Sequence, residues 1–305
     1  RSHRRGAGLT APPNDAEGVV LNAQFEYVEG QFRATFPALL AEFQQRSDAA
    51  AVAATALDMP YGAHPRQRFD HFAPTAPVQG VCLYFHAGYW QSRDKSLFRF
   101  LAPAFQQRGL HFLPVNYPLC PEVTLAELVQ AVSQCLPAVR GYLQTHGVGD
   151  VPWVLAGHSA GAHLAASLAL GRDSGAGIDG VLGISGVYGL EPLLATTLND
   201  KLRLDSQAAA AASVVRAVRP SAPPACWLVG GAETQAFLDQ NSAMHRAWTQ
   251  AGNWSVAAAV PGADHFTVLQ HVPDLAVGAE GAWTSWWQAV QTAFALRRSG
   301  RPDQR

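Results

Sequence analysis

The sequence carries little charge and almost no charge imbalance. Its 305 residues include 22 Lys and Arg and 23 Asp and Glu, which gives a formal net charge of −1 at pH 7. Proteins that bind nucleic acid or anionic membranes through their overall field carry a marked excess of basic side chains. We therefore expect neither partner, and a small neutral or apolar molecule as the substrate. The sequence leaves the oligomeric state open, a homodimer included.

Cysteine is scarce, and long apolar runs are missing. The four cysteines form no C-x-x-C pair and no zinc-like spacing with histidine: Cys82, Cys120, Cys135 and Cys226. We expect buried free thiols, no metal and no other cofactor. No apolar stretch is long enough to span a bilayer, and no charged segment precedes an apolar run of signal-peptide length. These absences favour a cytoplasmic location.

The N-terminal region changes character near residue 19. Residues 1–18 combine clustered arginines, glycine and a Pro-Pro pair with almost no large apolar side chains, which predicts a disordered tail. The length of the remainder, residues 19–305, is compatible with one domain. Apolar residues recur every three or four positions over Leu21–Arg46. This periodicity predicts a helix that covers the core or rims the active site.

Short runs rich in Val, Leu and Ile alternate downstream with longer segments of helical periodicity. Six runs are typical of strands: Gly80–Phe85, His111–Asn116, Val151–Ala156, Gly180–Ser185, Ala225–Gly230 and Ser255–Val260. The clearest helix carries apolar positions from Leu125 to Leu143 and should kink at Pro137. The alternation predicts an α/β fold with a mostly parallel, twisted sheet and helices on both faces. Residues 186–222 lack a convincing strand and are predicted to form a small lid insertion.

A G-x-S-x-G pattern occurs once, at Gly157–Gly161 (GHSAG), directly after a predicted strand and before a helical pattern. In the α/β-hydrolase fold, this context presents a nucleophilic serine on a strained turn. The glycines are needed because the turn brings backbone segments too close for Cβ atoms. We predict Ser159 as the nucleophile and the amide of Ala160 as an oxyanion donor. A chance Gly/Ser turn is the alternative.

The segment His86–Trp90 (HAGYW) follows a predicted core strand upstream of the serine, where the oxyanion loop of this fold belongs. Its small residues allow main-chain N–H groups to approach a substrate oxygen. We predict the amides of Gly88 and Tyr89 as donors, and His86 as a residue that braces the loop. Substrate contacts are predicted for His86, Trp90 and Tyr188, with core packing as the alternative for Trp90.

His265 is the best-placed general base among the 11 histidines. It lies in Pro261–Phe266 (PGADHF), after the last predicted strand. Its imidazole is therefore expected in a loop at the carboxyl end of that strand. In this fold the triad residues occur along the chain in the order Ser, acid, His. His265 follows Ser159, as this order requires. The competing histidines fit structural roles better: His158, His163, His245 and His271.

Glu233 is the predicted acid of the triad. It follows the strand Ala225–Gly230, in the loop where this fold carries its acid. Asp239 lies on the next helix. Asp264 adjoins His265 in sequence, and neighbours along a loop seldom face each other.

With these residues placed, the sequence resembles the α/β-hydrolase-type kynurenine formamidases (arylformamidases) and their bacterial esterase-like relatives, over most of residues 55–275. The motifs that carry the resemblance are Tyr61–Gly62, Arg66–Asp70, His86–Trp90, Asn116–Pro121, Gly157–Leu164, Ser185–Leu193, Glu233 with Phe237 and Gln240, and Asp264–Phe266. It implies a triad of Ser159, Glu233 and His265. Two positions depart from the family pattern. Ala87 occupies a position where the family usually has glycine, and Glu233 one where several members have aspartate.

The resemblance implies a serine hydrolase that cleaves a small aryl-linked amide or ester through an acyl-enzyme. An arylformamidase acting on substrates of the N-formylkynurenine type is the first expectation. A carboxylesterase for small aryl or short-acyl esters is the alternative. Acyl transfer to an amine or alcohol, and a non-catalytic ligand-binding scaffold, are further alternatives.

Overall fold

The fold is described by a computed structural model that covers residues 22–171, 177–272 and 280–300. The tail predicted at residues 1–18 lies outside the described residues. Residues 22–27 are helical, Glu29–Gln31 form a 3₁₀ turn, and helix α1 runs over Phe36–Ala51. The single helix predicted over Leu21–Arg46 is therefore wrong in its continuity. Pro37 cannot donate to the carbonyl of Arg33, and its ring would collide with that group, so α1 has to start anew beside it.

Eight strands form one sheet. They are β1 (Ala56–Pro60), β2 (Arg68–His71), β3 (Gly80–Phe85), β4 (Leu110–Val115), β5 (Trp153–His158), β6 (Gly180–Ile184), β7 (Ala225–Gly230) and β8 (Ser255–Val260). Their order across the sheet is β1-β2-β4-β3-β5-β6-β7-β8. The six strands from β3 to β8 pair in parallel, whereas β1 and β2 are antiparallel. The predicted mostly parallel α/β sheet is confirmed.

The sequence pattern misses β1 and β2 because neither shows the apolar run of a buried strand. β1 lies at the sheet edge, is partly exposed along its length, and has an irregular register with β2. Asp58 within it adopts a positive φ of 55°. A central parallel strand such as β3 is instead buried at every residue, because helices cover both faces of the sheet.

The remaining helices follow in chain order. They are α2 (Ala102–Gln107), α3 (Leu125–Ser133), α4 (Cys135–Thr145), α5 (Ala160–Leu170), α6 (Asn199–Leu202), α7 (Ser206–Ala212), α8 (Gln235–Gln250), α9 (Val268–His271) and α10 (Glu280–Ser299). The kink predicted at Pro137 is a break between α3 and α4, because Pro137 has no N–H to donate to Ser133. No helix in the described ranges is long and apolar enough to cross a membrane.

Residues 186–222, all of which are described, contain no strand. Besides α6 and α7 they form two 3₁₀ helices, Glu191–Ala195 and Val214–Arg216. Their role as a lid stays a prediction.

Parallel pairing brings the carboxyl ends of the six strands β3 to β8 to one edge of the sheet. The loops after β3, β5, β6, β7 and β8 therefore meet there. These loops carry the HAGYW segment, Ser159, Ser185, Glu233 and His265.

Candidate active site

Ser159 lies on a sharp turn between β5 and α5. Its backbone dihedral angles, φ 56° and ψ −120°, belong to a region that non-glycine residues rarely occupy. A Cβ atom on Gly157 would overlap the carbonyl oxygen of Gly161, and one on Gly161 would overlap that of Phe85. Glycine is therefore required on both sides of the serine by close backbone approach.

Glu233 and His265 form a buried pair. The Nδ1 atom of His265 lies 2.7 Å from Oε2 of Glu233, and the two side chains are 4% and 0% exposed. A carboxylate in this position holds the Nδ1–H tautomer, so that Nε2 is left as the basic nitrogen. This arrangement is the one that a general base needs.

Two donors fix the other oxygen of the Glu233 carboxylate. Oε1 accepts hydrogen bonds from the Gly230 amide, at 2.8 Å, and from the hydroxyl of Ser185. Sequence reasoning assigned Ser185 no part in the site, although it ends a predicted strand next to β7. Its position at the carboxyl end of that strand is the signal that could have found it.

The competing acids point elsewhere. The carboxylate of Asp264 accepts from the amides of Phe266 and Thr267, at 3.0 and 2.8 Å, and so stabilises its own turn. Asp239 accepts from Gln235 one helical turn away on α8. Neither contacts the imidazole of His265.

Ser159 and His265 line the same cavity, which has a volume of about 270 Å³. Within the described part of the chain, the serine hydroxyl has no hydrogen-bond partner. Catalytic hydrogen bonds are often long before substrate binds, so this geometry is compatible with a Ser–His couple. A larger cavity of about 610 Å³ is also lined by Lys201 of α6, but Ser159, Glu233 and His265 are not among its lining residues.

The loop after β3 has an unusual backbone. Gly88, Tyr89 and Trp90 all adopt positive φ, at 131°, 49° and 60°. Among the described residues no acceptor is found for the amides of Gly88, Tyr89 and Ala160. Unpaired N–H groups beside a nucleophile are what an oxyanion hole requires.

The structure places the three residues predicted to contact the substrate away from this cavity. His86, Trp90 and Tyr188 are completely buried, and none of them lines the cavity beside Ser159. Each ring packs against another aromatic ring. The distances between ring centres are 4.4 Å for His86 and Tyr117, 5.0 Å for Trp90 and His163, and 5.2 Å for Tyr188 and Trp227. Their aromatic character therefore serves packing around the loops.

The cavity wall opposite the nucleophile comes from the N-terminal segment, which contributes Tyr27, Val28, Gln31, Phe32 and Phe36. This wall is tied to the loop of the candidate acid. The side chain of Gln31 donates to the Thr234 hydroxyl at 2.6 Å, and that hydroxyl donates to the carbonyl of Glu26 at 2.7 Å. Sequence reasoning placed a helix here but named none of its residues as site residues.

Three other histidines surround the site and stay neutral. Burial lowers the pKa of His86 and of His163 to about 4, and that of His158 well below its ordinary value. His158 Nε2 lies 2.6 Å from the carbonyl oxygen of His265. A neutral imidazole has one N–H to donate, and His158 uses it on this carbonyl. The hydrogen bond therefore positions the loop that carries the candidate base.

Acidification is expected to destabilise the fold. The folded pKa of His86 and of His163 is about 4, below the ordinary 6.5. The unfolded chain therefore binds more protons between these values. The contribution of these neutral imidazoles to the free energy of unfolding is complete above pH 6.5 and is lost as the pH falls toward 4. The loss is about 2 kcal/mol per histidine near pH ~5.

Urea unfolding near pH ~7.5 and pH ~5 measures the loss. His163→Gln keeps a donor for the carbonyl of Ala212, which His163 Nε2 contacts at 2.8 Å, and removes the titrating ring. The pH-dependent loss should shrink by about 2 kcal/mol in this variant. An unchanged loss would show that His163 is protonated as readily in the folded protein as in the unfolded chain.

No group of three or more His, Cys, Asp or Glu in the described ranges is arranged to hold a metal ion. The four cysteines are free and buried.

Comparisons with known proteins agree with this architecture. A family model for the α/β-hydrolase fold matches residues 82–269. The kynurenine formamidase of Danio rerio is 29% identical over 238 residues, which cover 74% of this chain and 80% of that protein. The kynurenine formamidase of Salmo salar is also 29% identical, over 73% of this chain and 79% of its own.

Solved structures give the same result. A candidate thioesterase from Silicibacter sp. TM1040 is 33% identical, with a TM-score of 0.70 and coverage of 86% of this chain and 97% of its own. The metagenomic carboxylesterase EstE1 shares the fold at 18% identity and a TM-score of 0.63, over 85% of this chain and 96% of its own. The family match spans more than half of the chain and includes the turn at Ser159 and the loops that carry Glu233 and His265. The chain is a hydrolase that belongs to the α/β-hydrolase family.

Proposed function

We propose that the chain is a serine hydrolase in which Ser159, His265 and Glu233 act as a triad. Nε2 of His265 takes the proton of Ser159, and Oγ attacks the substrate carbonyl. The tetrahedral intermediate collapses to an acyl-enzyme as His265 returns the proton to the leaving amine or alcohol. Water activated by the same imidazole then releases the acid. The carboxylate of Glu233 stabilises the imidazolium that forms in both steps.

The observation that carries this proposal is the 2.7 Å contact between Glu233 Oε2 and His265 Nδ1, in a pair whose histidine shares a cavity with Ser159. A structural carboxylate–histidine pair has no need of a serine on a strained turn. The amides of Gly88, Tyr89 and Ala160 support the proposal as donors to the oxyanion. One such donor typically contributes about 3 kcal/mol to transition-state stabilisation.

We propose further that the favoured reaction is that of an arylformamidase, with a small aryl-linked amide of the N-formylkynurenine type as substrate. Support comes from the two fish proteins named kynurenine formamidase, each matched over nearly four fifths of its length. The cavity of about 270 Å³, bordered by Phe32, Phe36 and Phe266, suits a small aromatic group.

A carboxylesterase acting on small aryl or short-acyl esters is the second candidate. The candidate thioesterase from Silicibacter sp. TM1040 favours it, since that protein is 33% identical and matched over 97% of its length. The same acyl-enzyme serves both reactions, so the leaving group separates the candidates.

The test compares N-formylkynurenine with 4-nitrophenyl acetate, following substrate loss and product formation together. We expect kcat/KM for the formamide to exceed that for the ester by more than about tenfold. Ser159→Ala should abolish both activities. Ser133→Ala is the matched control, because the hydroxyl of Ser133 only caps a carbonyl on an exposed helix face.

Turnover of the ester alone would identify an esterase on this scaffold. Equal rates for the wild type and Ser159→Ala on both substrates would contradict the serine mechanism itself.

A further inference from the structure

Two cations and no carboxylate line the cavity that holds Ser159. Arg93 follows the HAGYW loop, and Lys201 lies on α6. The other lining residues are apolar or uncharged, apart from the imidazole of His265. The local charge therefore differs from that of the whole chain, whose net charge is −1.

Arg93 is held firmly at the cavity wall. Its guanidinium lies 5.2 Å from the ring centre of Phe266 and 5.5 Å from that of Phe36. Its backbone adopts a positive φ of 72°, and its carbonyl accepts a hydrogen bond from the side chain of Arg66 at 2.8 Å. Strained backbone at a cavity wall persists only where the surroundings fix it.

The guanidinium of Arg93 has no hydrogen-bond or ion-pair partner anywhere in the described ranges. Burial lowers its pKa, but a guanidinium is so basic that it stays charged at neutral pH. Arginine carries five donors, and a partly buried charge without a counter-ion is costly. The stacked rings stabilise the cation but satisfy none of its donors.

The neighbouring carboxylates are already engaged. Asp94 accepts from the side chain of Asn116 at 2.5 Å and from the amide of Ser96 at 2.9 Å. Asp264 stabilises its own turn, and Glu233 holds the imidazole of His265. The partner of Arg93 therefore has to arrive with a ligand.

We propose that Arg93, with Lys201, forms an anion-binding subsite that takes a carboxylate of the substrate while Ser159 attacks the carbonyl. This rests on the proposed serine mechanism and adds a specificity to it. Arg93 shares the cavity with the nucleophile, and Phe266, against which it packs, is the residue after His265. The substrate is then a small amide or ester that carries a carboxylate, whereas the overall composition led us to expect a neutral or apolar molecule.

The test uses two esters that differ only in charge. Mono-4-nitrophenyl glutarate and 4-nitrophenyl pentanoate share a leaving group and chain length, but a carboxylate replaces the terminal methyl. We expect the wild type to prefer the glutarate, and Arg93→Gln to lower kcat/KM for the glutarate by about 10- to 100-fold more than for the pentanoate, chiefly through KM. Arg93→Lys should keep part of the preference because it keeps the charge. Spontaneous hydrolysis is subtracted with an enzyme-free blank.

Arg46→Gln is the matched control. Arg46 also lies over a phenylalanine ring, 4.9 Å from the centre of Phe100, but lines no part of this cavity. Its kcat/KM values should equal those of the wild type. Raising the salt concentration should reduce the glutarate preference of the wild type more than that of Arg93→Gln, because Lys201 is the one cation of the proposed subsite that the variant keeps.

A wild type that hydrolyses the pentanoate as well as the glutarate would overturn the subsite, as would equal losses on both esters in a folded Arg93→Gln protein. Thermal melting of each variant checks that it is folded. Failure of the serine mechanism looks different, since the pentanoate would then be hydrolysed equally by the wild type and Ser159→Ala.

Discussion

Ser159→Ala and His265→Ala should each lower kcat by roughly 10⁶-fold, and the double variant should lose no more than either one. The serine cannot attack without a base, and the base has no role without the serine, so the two losses overlap instead of adding. Glu233→Gln should cost less, roughly 10⁴-fold, because it leaves both reacting groups in place but no longer stabilises the imidazolium. Steady-state kinetics of all four variants on the better substrate measures these effects.

Additive losses in the double variant would contradict the proposal, since they would mean that the two side chains act independently. A His265→Ala protein with near-normal kcat would exclude His265 as the base. Circular dichroism and thermal melting check that each variant remains folded, because Ser159, Glu233 and His265 are all buried residues.

Gly161→Ala should destabilise the protein by about 3 kcal/mol or more, and reduce its activity as well. The added methyl group would overlap the carbonyl oxygen of Phe85 at the end of β3, and backbone cannot rotate away as a side chain can. Relief requires α5 to move away from β3, which shifts Ser159 relative to the HAGYW loop. Urea unfolding and kcat measure the two consequences.

Gly141→Ala is the matched control for this substitution. Gly141 lies within α4, and a Cβ atom there would meet no atom within 4 Å. Alanine is the better helix former, so this variant should be about 0.5–1 kcal/mol more stable than the wild type, with unchanged activity. Equal effects of the two substitutions would argue against close backbone approach as the reason for Gly161.

The sequence predicts the parallel part of the sheet well because five of its six strands, β3 to β7, are buried at every residue. β3, β7 and β8 have the bounds that their apolar runs indicate. The antiparallel strands β1 and β2 have no such runs, and they join the sheet through the pairing of β2 with β4, which lies far along the chain. Pro37 could have warned against one continuous N-terminal helix, because a proline within a helical pattern restarts the helix.

The sequence likewise predicts some residues of the candidate site and misses others. Chain order and loop position pointed to Ser159, Glu233 and His265, and the structure gives a 2.7 Å contact between the last two. Their catalytic roles stay predictions until the kinetics are measured. Local patterns could not show that His86, Trp90 and Tyr188 are core residues, because an aromatic side chain beside a motif suits a pocket or a core equally well. Ser185 and Arg93 belong to no motif that names their function, and only the fold brings them to the site.

The N-terminal segment that walls the cavity has a consequence for how this protein can evolve. The match to the family model begins at residue 82, whereas Tyr27, Gln31 and Phe36, which line the cavity, all precede it. Part of the cavity wall is thus encoded outside the stretch that carries the three candidate catalytic residues. Substitutions in this segment would change the cavity wall while Ser159, Glu233 and His265 stay unchanged. Relatives that share the catalytic motifs can therefore differ in the substrates that they accept without any change in mechanism.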